Sequence, residues 1–234
     1  MSDRAEELRK EIASEAEALA AERERRKAED RLTRARVPRA LWDVSLAKIP
    51  DKAHHKLLLS RWSTLFMQRY RHGEPLIGLL LWGPPGTGKT SIAAGLSRYF
   101  LTRKPPITTF FQEFRNLYSD VQAKTPYDEV LAPGVTLEEV WRQVDVLVID
   151  DLLANVTDSY GQVGMNIAEQ VLRDRISEGR STIITSNGSI ETIGKAHPRL
   201  AHLLMEHNYD IEVTGVDYRK VIAKKRPSLE ELDQ

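Results

Sequence analysis

The sequence predicts a single α/β domain, in which helices cover both faces of a mostly parallel β-sheet. Strand-like apolar segments alternate with helical segments from residue 51 onward, which favours parallel strands joined by helical crossovers. The apolar segment 76–82 leads directly into a glycine-rich turn, and a helical segment follows that turn. A chain of 234 residues can bury one substantial core, so we expect one such domain behind a charged N-terminal segment.

The first 35 residues are rich in Glu, Arg, Lys and Ala, with acids early and bases later. This composition favours a helix, and the charge order complements the helix dipole. The apolar stripe is too thin to form a core by itself, and it consists of Leu8, Ile12, Ala16 and Leu19. Two interpretations stay open: a solvated, partly disordered helical extension, or an arm that docks in a partner protein. Pro38 predicts the end of this helix.

The remaining elements follow from hydrophobic periodicity. The predicted helices are 51–71, a helix beginning at Ser91, 112–122, 137–143 and 166–178, and the predicted strands are 76–82, 107–111, 144–149 and 181–186. The six histidines show no metal-ligand spacing, so we interpret all of them as structural or surface groups.

Residues 83–90 read Gly-Pro-Pro-Gly-Thr-Gly-Lys-Thr and fit the phosphate-binding pattern G-x-x-x-x-G-K-[S/T] at every fixed position. The glycines let backbone N–H groups surround phosphates, Lys89 reaches the β- and γ-phosphates, and Thr90 offers a hydroxyl to Mg²⁺. A plain Gly/Pro turn would need a coincidental Lys-Thr pair. The residues predicted to bind ATP are Gly83, Pro84, Pro85, Gly86, Thr87, Gly88, Lys89, Thr90 and Ser91.

Polar residues end two of the predicted strands. Asp150 and Asp151 follow the strand at 144–149, at the edge where open α/β sheets bind ligands. We predict that Asp150 holds Mg²⁺ with Thr90 and that Asp151 orients or deprotonates the attacking water. Taken alone, a strand ending in two aspartates is more commonly explained by a solvated loop, and it gains force from following a phosphate loop by some sixty residues. Asn187 follows the strand at 181–186 and can donate to the γ-phosphate and accept from the water, although Asn-Gly is also a favoured turn pair.

Composition excludes several classes of function. Lys+Arg and Asp+Glu number 34 each, so any contact with nucleic acid must be local. Cysteine is absent, which removes disulfides, thiolate zinc sites and cysteine nucleophiles. No apolar stretch approaches the roughly 20 residues that span a bilayer, and the charged N-terminus lacks a signal-peptide core. We therefore expect a soluble cytoplasmic protein without a membrane partner.

Five phrases together resemble the AAA+ ATPases, in particular the branch of DnaC-type helicase loaders and IstB-type transposition ATPases. They are GPPGTGKT (83–90), VDVLVIDDL (144–152), STIITSN (181–187), GVDYR (215–219) and the lead-in ARVPRALWDVSL (35–46). The resemblance covers about residues 35–225. It implies an AAA+ domain over residues 36–226, with an acidic tail at 227–234.

The resemblance also implies roles for individual residues. Asn187 would be the first sensor, and Arg219 the second sensor within the same subunit. Arg199 is the candidate arginine finger, completing the site of a neighbouring subunit, although Leu203 stands where many relatives carry a second arginine. A surface arginine at a helix start is the alternative. The chain has Asp151 where relatives commonly have glutamate, which suits a slow switch.

The implied partners are a replicative DNA helicase, single-stranded DNA and further copies of this chain in a ring or spiral. Loaders of this branch bind DNA through a helix after the second strand, so Phe114, Arg115 and Tyr118 are candidate contacts, with core packing as the alternative for the aromatic rings. We therefore expect an ATP-dependent helicase loader with slow, DNA- or assembly-stimulated hydrolysis. An IstB-type regulator that polymerises on duplex DNA is the alternative. A small-molecule kinase is disfavoured because no lid or substrate-pocket motif is evident.

Overall fold

The computed structural model of this protein describes residues 2–49, 54–128, 132–153 and 159–217. The helices are α1 Ser2–Arg34, α2 His54–His72, α3 Lys89–Leu101, α4 Leu117–Gln122, α5 Leu137–Gln143, α6 Ser159–Ser177, α7 Ile190–Ala196 and α8 Pro198–His207. The strands are β1 Gly78–Trp82, β2 Thr109–Glu113, β3 Pro126–Asp128, β4 Ala132–Thr136, β5 Val146–Leu152, β6 Ser181–Ser186 and β7 Asn208–Glu212.

Five of these strands form one sheet in the order β2-β5-β6-β1-β7, and every neighbouring pair in it is parallel. Strands β3 and β4 make a separate antiparallel pair. The predicted α/β fold with a mostly parallel sheet is therefore confirmed. The carboxyl ends of β1, β5 and β6 lie side by side at one edge, so the phosphate loop, the two aspartates and Asn187 meet there.

Each face of the sheet is covered by its own apolar cluster. Leu79 and Leu81 of β1 pack with Trp62, Phe66 and other side chains on one face. Leu80 points to the opposite face because side chains alternate along a strand, and there it belongs to the cluster of Trp141 and Leu204. Burial on both faces explains why the strands read as continuous apolar runs.

The predicted charged helix is present as α1, and its C-terminal end packs on the domain. Leu32 and Ala35 are buried in the first cluster, and Ala35 O accepts a hydrogen bond from Phe111 N (2.8 Å) of edge strand β2. The helix stops before Arg36, whose φ of 52° is left-handed. The side chains of residues 14–21 are exposed, Leu19 by 55%. Docking arm and solvated extension both remain open.

Sheet pairing moves two predicted boundaries. The strand predicted at 107–111 is Thr109–Glu113, because it runs in register with β5 from Thr109 opposite Val146 to Glu113 opposite Asp150. The helix predicted at 112–122 consequently begins later, as a 3-10 turn over Phe114–Asn116 followed by α4. The β3–β4 pair, β7, α7 and α8 had no counterpart among the predicted elements.

Candidate nucleotide-binding site

The phosphate loop connects β1 to α3, as its motif predicts. Gly83, Gly86 and Gly88 have φ angles of 141°, 82° and 96°, which side-chain-bearing residues rarely adopt. Close contacts also exclude side chains here: a Cβ placed on Gly83 would lie 2.5 Å from Val213 O, and one on Gly86 would lie 2.0 Å from Asp217 Oδ1. The segment after β7 therefore packs directly along the loop.

Lys89 lies within the loop that it is predicted to serve. Its side chain is buried, and its Nζ donates to Gly83 O and Pro84 O, both at 2.8 Å. The Thr87 hydroxyl also donates to Pro84 O, at 2.9 Å. These contacts keep the ammonium group at the mouth of the loop, where a triphosphate would exchange carbonyl partners for charged oxygens.

A cavity of about 840 Å³ opens beside this loop. Its polar lining comes from the loop, the two aspartates and Asn187. Its apolar lining includes Leu41, Val44, Leu46 and Ile49, around the lead-in segment. A lining with both parts suits a phosphate chain attached to a nucleobase.

His55 lines the same cavity, and prediction from sequence had missed it. Its side chain is 7% exposed, and its Nδ1 is enclosed without a hydrogen-bond partner among the described residues. Burial, and secondarily the neighbouring His54, lower the pKa of this imidazole, so the neutral form is favoured. The lead-in phrase at 35–46 was the sequence signal that could have indicated the apolar lining of the cavity. A lone histidine on a helix gives no such signal.

The two aspartates occupy a bulge at the end of β5. Ile149 pairs with Ile184 and Leu152 pairs with Ser186, so Asp150 and Asp151 together oppose a single residue of β6. Asp150 is buried, whereas Asp151 is exposed and has a left-handed φ of 59°. The predicted pair of acids at the sheet edge is thus present, in two different environments.

Asp150 and Thr90 have the chemistry of a magnesium site. Burial raises the pKa of Asp150, while hydrogen bonds from the Thr185 and Thr90 hydroxyls oppose that rise. A carboxylate and a hydroxyl in contact are the hard oxygen donors that Mg²⁺ takes beside a nucleotide. Among the described residues, no group of three or more His, Cys, Asp or Glu side chains could hold a metal ion by itself. Asp150 and Thr90 therefore suit a Mg²⁺ ion that is also coordinated by the phosphates of a nucleotide.

Two residues of the β6 end contact the acids. Asn187 Nδ2 donates to Asp151 Oδ1 at 3.0 Å. The Thr185 hydroxyl donates to Asp150 Oδ1 at 2.6 Å and accepts from Asp151 N at 2.8 Å. Asn187 had been predicted from its place at the strand end, whereas Thr185 had not, because its contacts depend on the register of β5 against β6.

Arg199 and Arg219 do not join this cluster in the described part of the chain. Arg199 is exposed at the start of α8 and does not line the cavity of its own chain. Arg219 lies outside the described residues, which reach Asp217 beside Gly86. Their finger and second-sensor roles stay predictions.

The three candidate DNA contacts lie in different environments. Phe114 is 2% exposed, lies in the second core cluster and packs close to Gly164, which is the core-packing alternative left open by the sequence. Arg115 is exposed and pairs with Glu113, Nη2 to Oε2 at 2.7 Å. Tyr118 is partly exposed. Only Arg115 and Tyr118 remain candidates.

A phosphate loop beside paired acids, on a parallel sheet of this order, defines an ATP-binding protein of the P-loop class. The chain belongs to the family described as IstB-like ATP binding protein, whose family model matches residues 11–221. Together with the structural neighbours below, this match confirms the resemblance to DnaC/IstB-type AAA+ ATPases.

Solved structures with the same fold include DnaI, at 22% identity and TM-score 0.60, covering 77% of this chain and 93% of DnaI. The DnaC helicase loader matches at 20% identity and TM-score 0.57, covering 75% of this chain and 99% of DnaC. AMPPCP-bound DnaA from Aquifex aeolicus matches at 15% identity and TM-score 0.54, covering 81% of this chain and 58% of DnaA. At these identities the likeness is one of fold.

Among curated proteins, Protein SAV of Sulfolobus acidocaldarius is 33% identical in an alignment of 94 residues that covers 34% of this chain. The aligned part spans 12% of Protein SAV, so this match concerns a small portion of that protein. In the part of the chain that the structure describes, none of the helices is long and apolar enough to cross a membrane.

Proposed function

We propose that this protein is an ATP-hydrolysing loader of a replicative DNA helicase, which binds single-stranded DNA and acts as a slow switch. The observation that carries the ATPase part is the convergence of Lys89, Asp150 and Asp151 with Asn187 on one cavity. The helicase part is supported by the fold shared with DnaI and the DnaC helicase loader.

In this scheme the polar and the apolar lining of the cavity bind different parts of ATP. The loop N–H groups and Lys89 bind the β- and γ-phosphates, and the apolar lead-in side chains enclose the nucleoside. Thr90 and Asp150 would hold Mg²⁺, which would supply positive charge to neutralise the phosphate oxygens. Burial raises the pKa of Asp150, and a bound cation would offset this cost of burying the carboxylate.

Asp151 receives the proton of the attacking water in this scheme, and Asn187 orients its carboxylate. Asp151 is exposed and bonded to Asn187, and its side chain is one methylene shorter than glutamate. A shorter acid has less reach toward a water at the γ-phosphate, so the rate depends on small rearrangements of the sheet edge. We infer slow turnover that assembly or DNA accelerates.

The exposed position of Arg199 supports the proposal that copies of this chain complete each other's sites. Its side chain is exposed and makes no ion pair or side-chain hydrogen bond with any described residue, so it is available to a neighbouring subunit. A guanidinium that enters the cavity of the next copy would stabilise the charge of the transition state. The rate of ATP hydrolysis would then depend on the assembly of neighbouring copies.

A transposition regulator that polymerises on duplex DNA is the second candidate, and the match to the IstB-like family favours it. The two functions differ in partner and in the form of DNA. The test is capture of the cognate replicative helicase by the full chain, combined with binding to labelled single- and double-stranded DNA in the presence of ATP and Mg²⁺.

Helicase capture with preference for single strands is the expected result for a loader. Absence of helicase capture with preference for duplex would overturn the loader in favour of the regulator. A variant that lacks residues 1–27 removes the largely exposed stretch 14–27 of α1 and keeps the packed residues Leu32 and Ala35. Unchanged helicase capture by that variant would exclude the docking arm.

A further inference from the structure

Thr185 connects the two acids of the site through one hydroxyl group. We propose that Thr185 is a positioning residue for ATP hydrolysis. It would fix the position of Asp150, the proposed Mg²⁺ ligand, relative to Asp151, the proposed base for the attacking water. The inference rests on the proposed ATPase activity. It adds a residue that neither the sequence pattern nor the family resemblance had assigned.

The hydroxyl uses both of its bonding capacities. As a donor it bonds to Asp150 Oδ1 at 2.6 Å, and as an acceptor it takes the Asp151 N–H at 2.8 Å. The first distance lies at the short end of the range for a charge-assisted O–H···O bond. Because the side chain is only 1% exposed, water cannot replace either bond without opening the sheet edge.

The bulge makes this double contact possible. Two residues of β5 face one residue of β6, so the carboxylate of the first and the N–H of the second both lie within reach of Thr185. A regular ladder would place successive side chains on opposite faces of the sheet. The bulge therefore lets both acids contact the one residue of β6 that they oppose.

Asp151 depends on that contact for its backbone conformation. Its φ of 59° is unfavourable for a residue with a Cβ and persists only where surrounding contacts hold it. Thr185 fixes its N–H, and Asn187 fixes its carboxylate at 3.0 Å. Two residues at the end of β6 thus hold Asp151 by its backbone and by its side chain.

The hydrogen bonds of Thr185 could also serve the stability of the fold alone. A matched control variant distinguishes this structural role from the positioning role. Thr182 is another buried threonine of β6, and its hydroxyl accepts from Arg175 Nε at 3.0 Å, away from the acids. Thr182→Val and Thr185→Val make the same change on the same strand. Thr182→Val removes one hydrogen bond of a buried hydroxyl and Thr185→Val removes two, but only the second change touches the acids.

The test measures kcat and KM for ATP with Mg²⁺, and the dissociation constant of a fluorescent ATP analogue, on the full chain. In Thr185→Val we expect kcat to fall roughly ten- to hundredfold, while the dissociation constant changes by less than about threefold. Thr185→Ser keeps the hydroxyl and retains most of kcat. Thr182→Val lowers the midpoint of urea unfolding and leaves kcat within about twofold.

Several results would overturn the positioning role. They are a kcat for Thr185→Val within twofold of wild type, an equal loss in Thr182→Val, or a Thr185→Ser variant as slow as Thr185→Val. If the valine variant does not fold, Thr185→Ala removes the same hydroxyl with less bulk and takes its place. In an Asp151→Asn background, Thr185→Val is expected to add little, because both changes disable the same group.

Failure of the proposed ATPase is distinguishable from failure of this inference. A wild-type chain that binds ATP without hydrolysing it would contradict the proposed function. The Mg²⁺ concentration needed for tight analogue binding still reports on Asp150. A higher requirement in Thr185→Val supports the contact between Thr185 and Asp150, and an unchanged requirement overturns it.

Discussion

Asn187 Nδ2 donates a hydrogen bond to Asp151 Oδ1 at 3.0 Å, which joins the ends of two neighbouring strands. The amide therefore contacts the acid that we propose accepts a proton from the attacking water. The Asn187 amide can donate either to Asp151 or to a γ-phosphate. The position of the Asp151 carboxylate can therefore depend on whether a γ-phosphate is bound.

Asn187→Ala should lower kcat roughly tenfold or more while leaving the affinity for ATP within about threefold, because the contact orients the acid and the phosphate loop is untouched. Steady-state hydrolysis and equilibrium binding of a fluorescent ATP analogue measure the two quantities. In an Asp151→Asn background the same change should have little further effect on kcat. Full additivity of the two losses would show that Asn187 acts independently of Asp151.

His55→Ala should weaken ATP binding roughly three- to tenfold and leave the binding of inorganic tripolyphosphate unchanged. The imidazole lines the cavity that the apolar lead-in closes, whereas tripolyphosphate needs only the phosphate loop. Titration calorimetry with both ligands makes the measurement. His54→Ala is the matched control, because His54 is the exposed neighbour on the same helix. Equal losses for the two ligands would remove His55 from the nucleoside end.

Asp150→Asn should raise the midpoint of thermal unfolding at neutral pH without nucleotide or Mg²⁺, although it abolishes Mg²⁺-dependent binding. Burial raises the pKa of Asp150 above the ordinary value of 3.8, so the folded state binds more protons than the unfolded chain. The stability of the wild-type chain therefore falls as the pH rises from 3.8 through the folded pKa. The neutral asparagine removes that dependence.

Thermal scans at pH 5 and pH 7.5 measure the effect, and Asp151→Asn serves as the control because Asp151 is exposed. The midpoint of the control should change little. Destabilisation by Asp150→Asn equal at both pH values would show that the carboxylate is not strained by burial.

Arg199→Ala should leave ATP binding intact and lower DNA- or assembly-stimulated hydrolysis roughly a hundredfold or more, because the guanidinium would act on the neighbour's nucleotide. Lys195→Ala is a suitable control, since it removes an exposed cation from α7 nearby.

Mixing variants distinguishes action in trans from action in cis. Arg199→Ala chains bind nucleotide but lack the finger, and Lys89→Ala chains supply the finger but lack nucleotide. Hydrolysis by the mixture well above that of either variant alone is expected. Two inactive variants that stay inactive when mixed would contradict the assignment of Arg199.

Local sequence predicted the parts of the site that local chemistry determines. The phosphate loop is a contiguous motif, and Asp150, Asp151 and Asn187 follow apolar strands directly, so their meeting at one edge follows from parallel pairing alone. Thr185 could not be predicted, because its role arises from a bulge in the register between β5 and β6.

Two buried side chains, those of Phe114 and Arg175, could not be predicted from local sequence because tertiary packing determines their burial. Phe114 had been a candidate DNA contact, yet the strand before it extends and turns its ring into the core. Arg175 lies in the predicted helix at 166–178, and no local pattern marks it as a core residue. It is fully buried, with its guanidinium bonded to backbone carbonyls that include Trp141 O and Val144 O, and burial lowers its pKa to about 9.

The most direct test of an ATP-driven switch is ATP binding and hydrolysis by the wild-type chain and by Lys89→Ala, each with and without single-stranded DNA. The account predicts Mg²⁺-dependent binding by wild type, hydrolysis that rises on addition of DNA, and affinity roughly a hundredfold lower in Lys89→Ala. Equal ATP binding by the two proteins, or no binding by wild type, would contradict it.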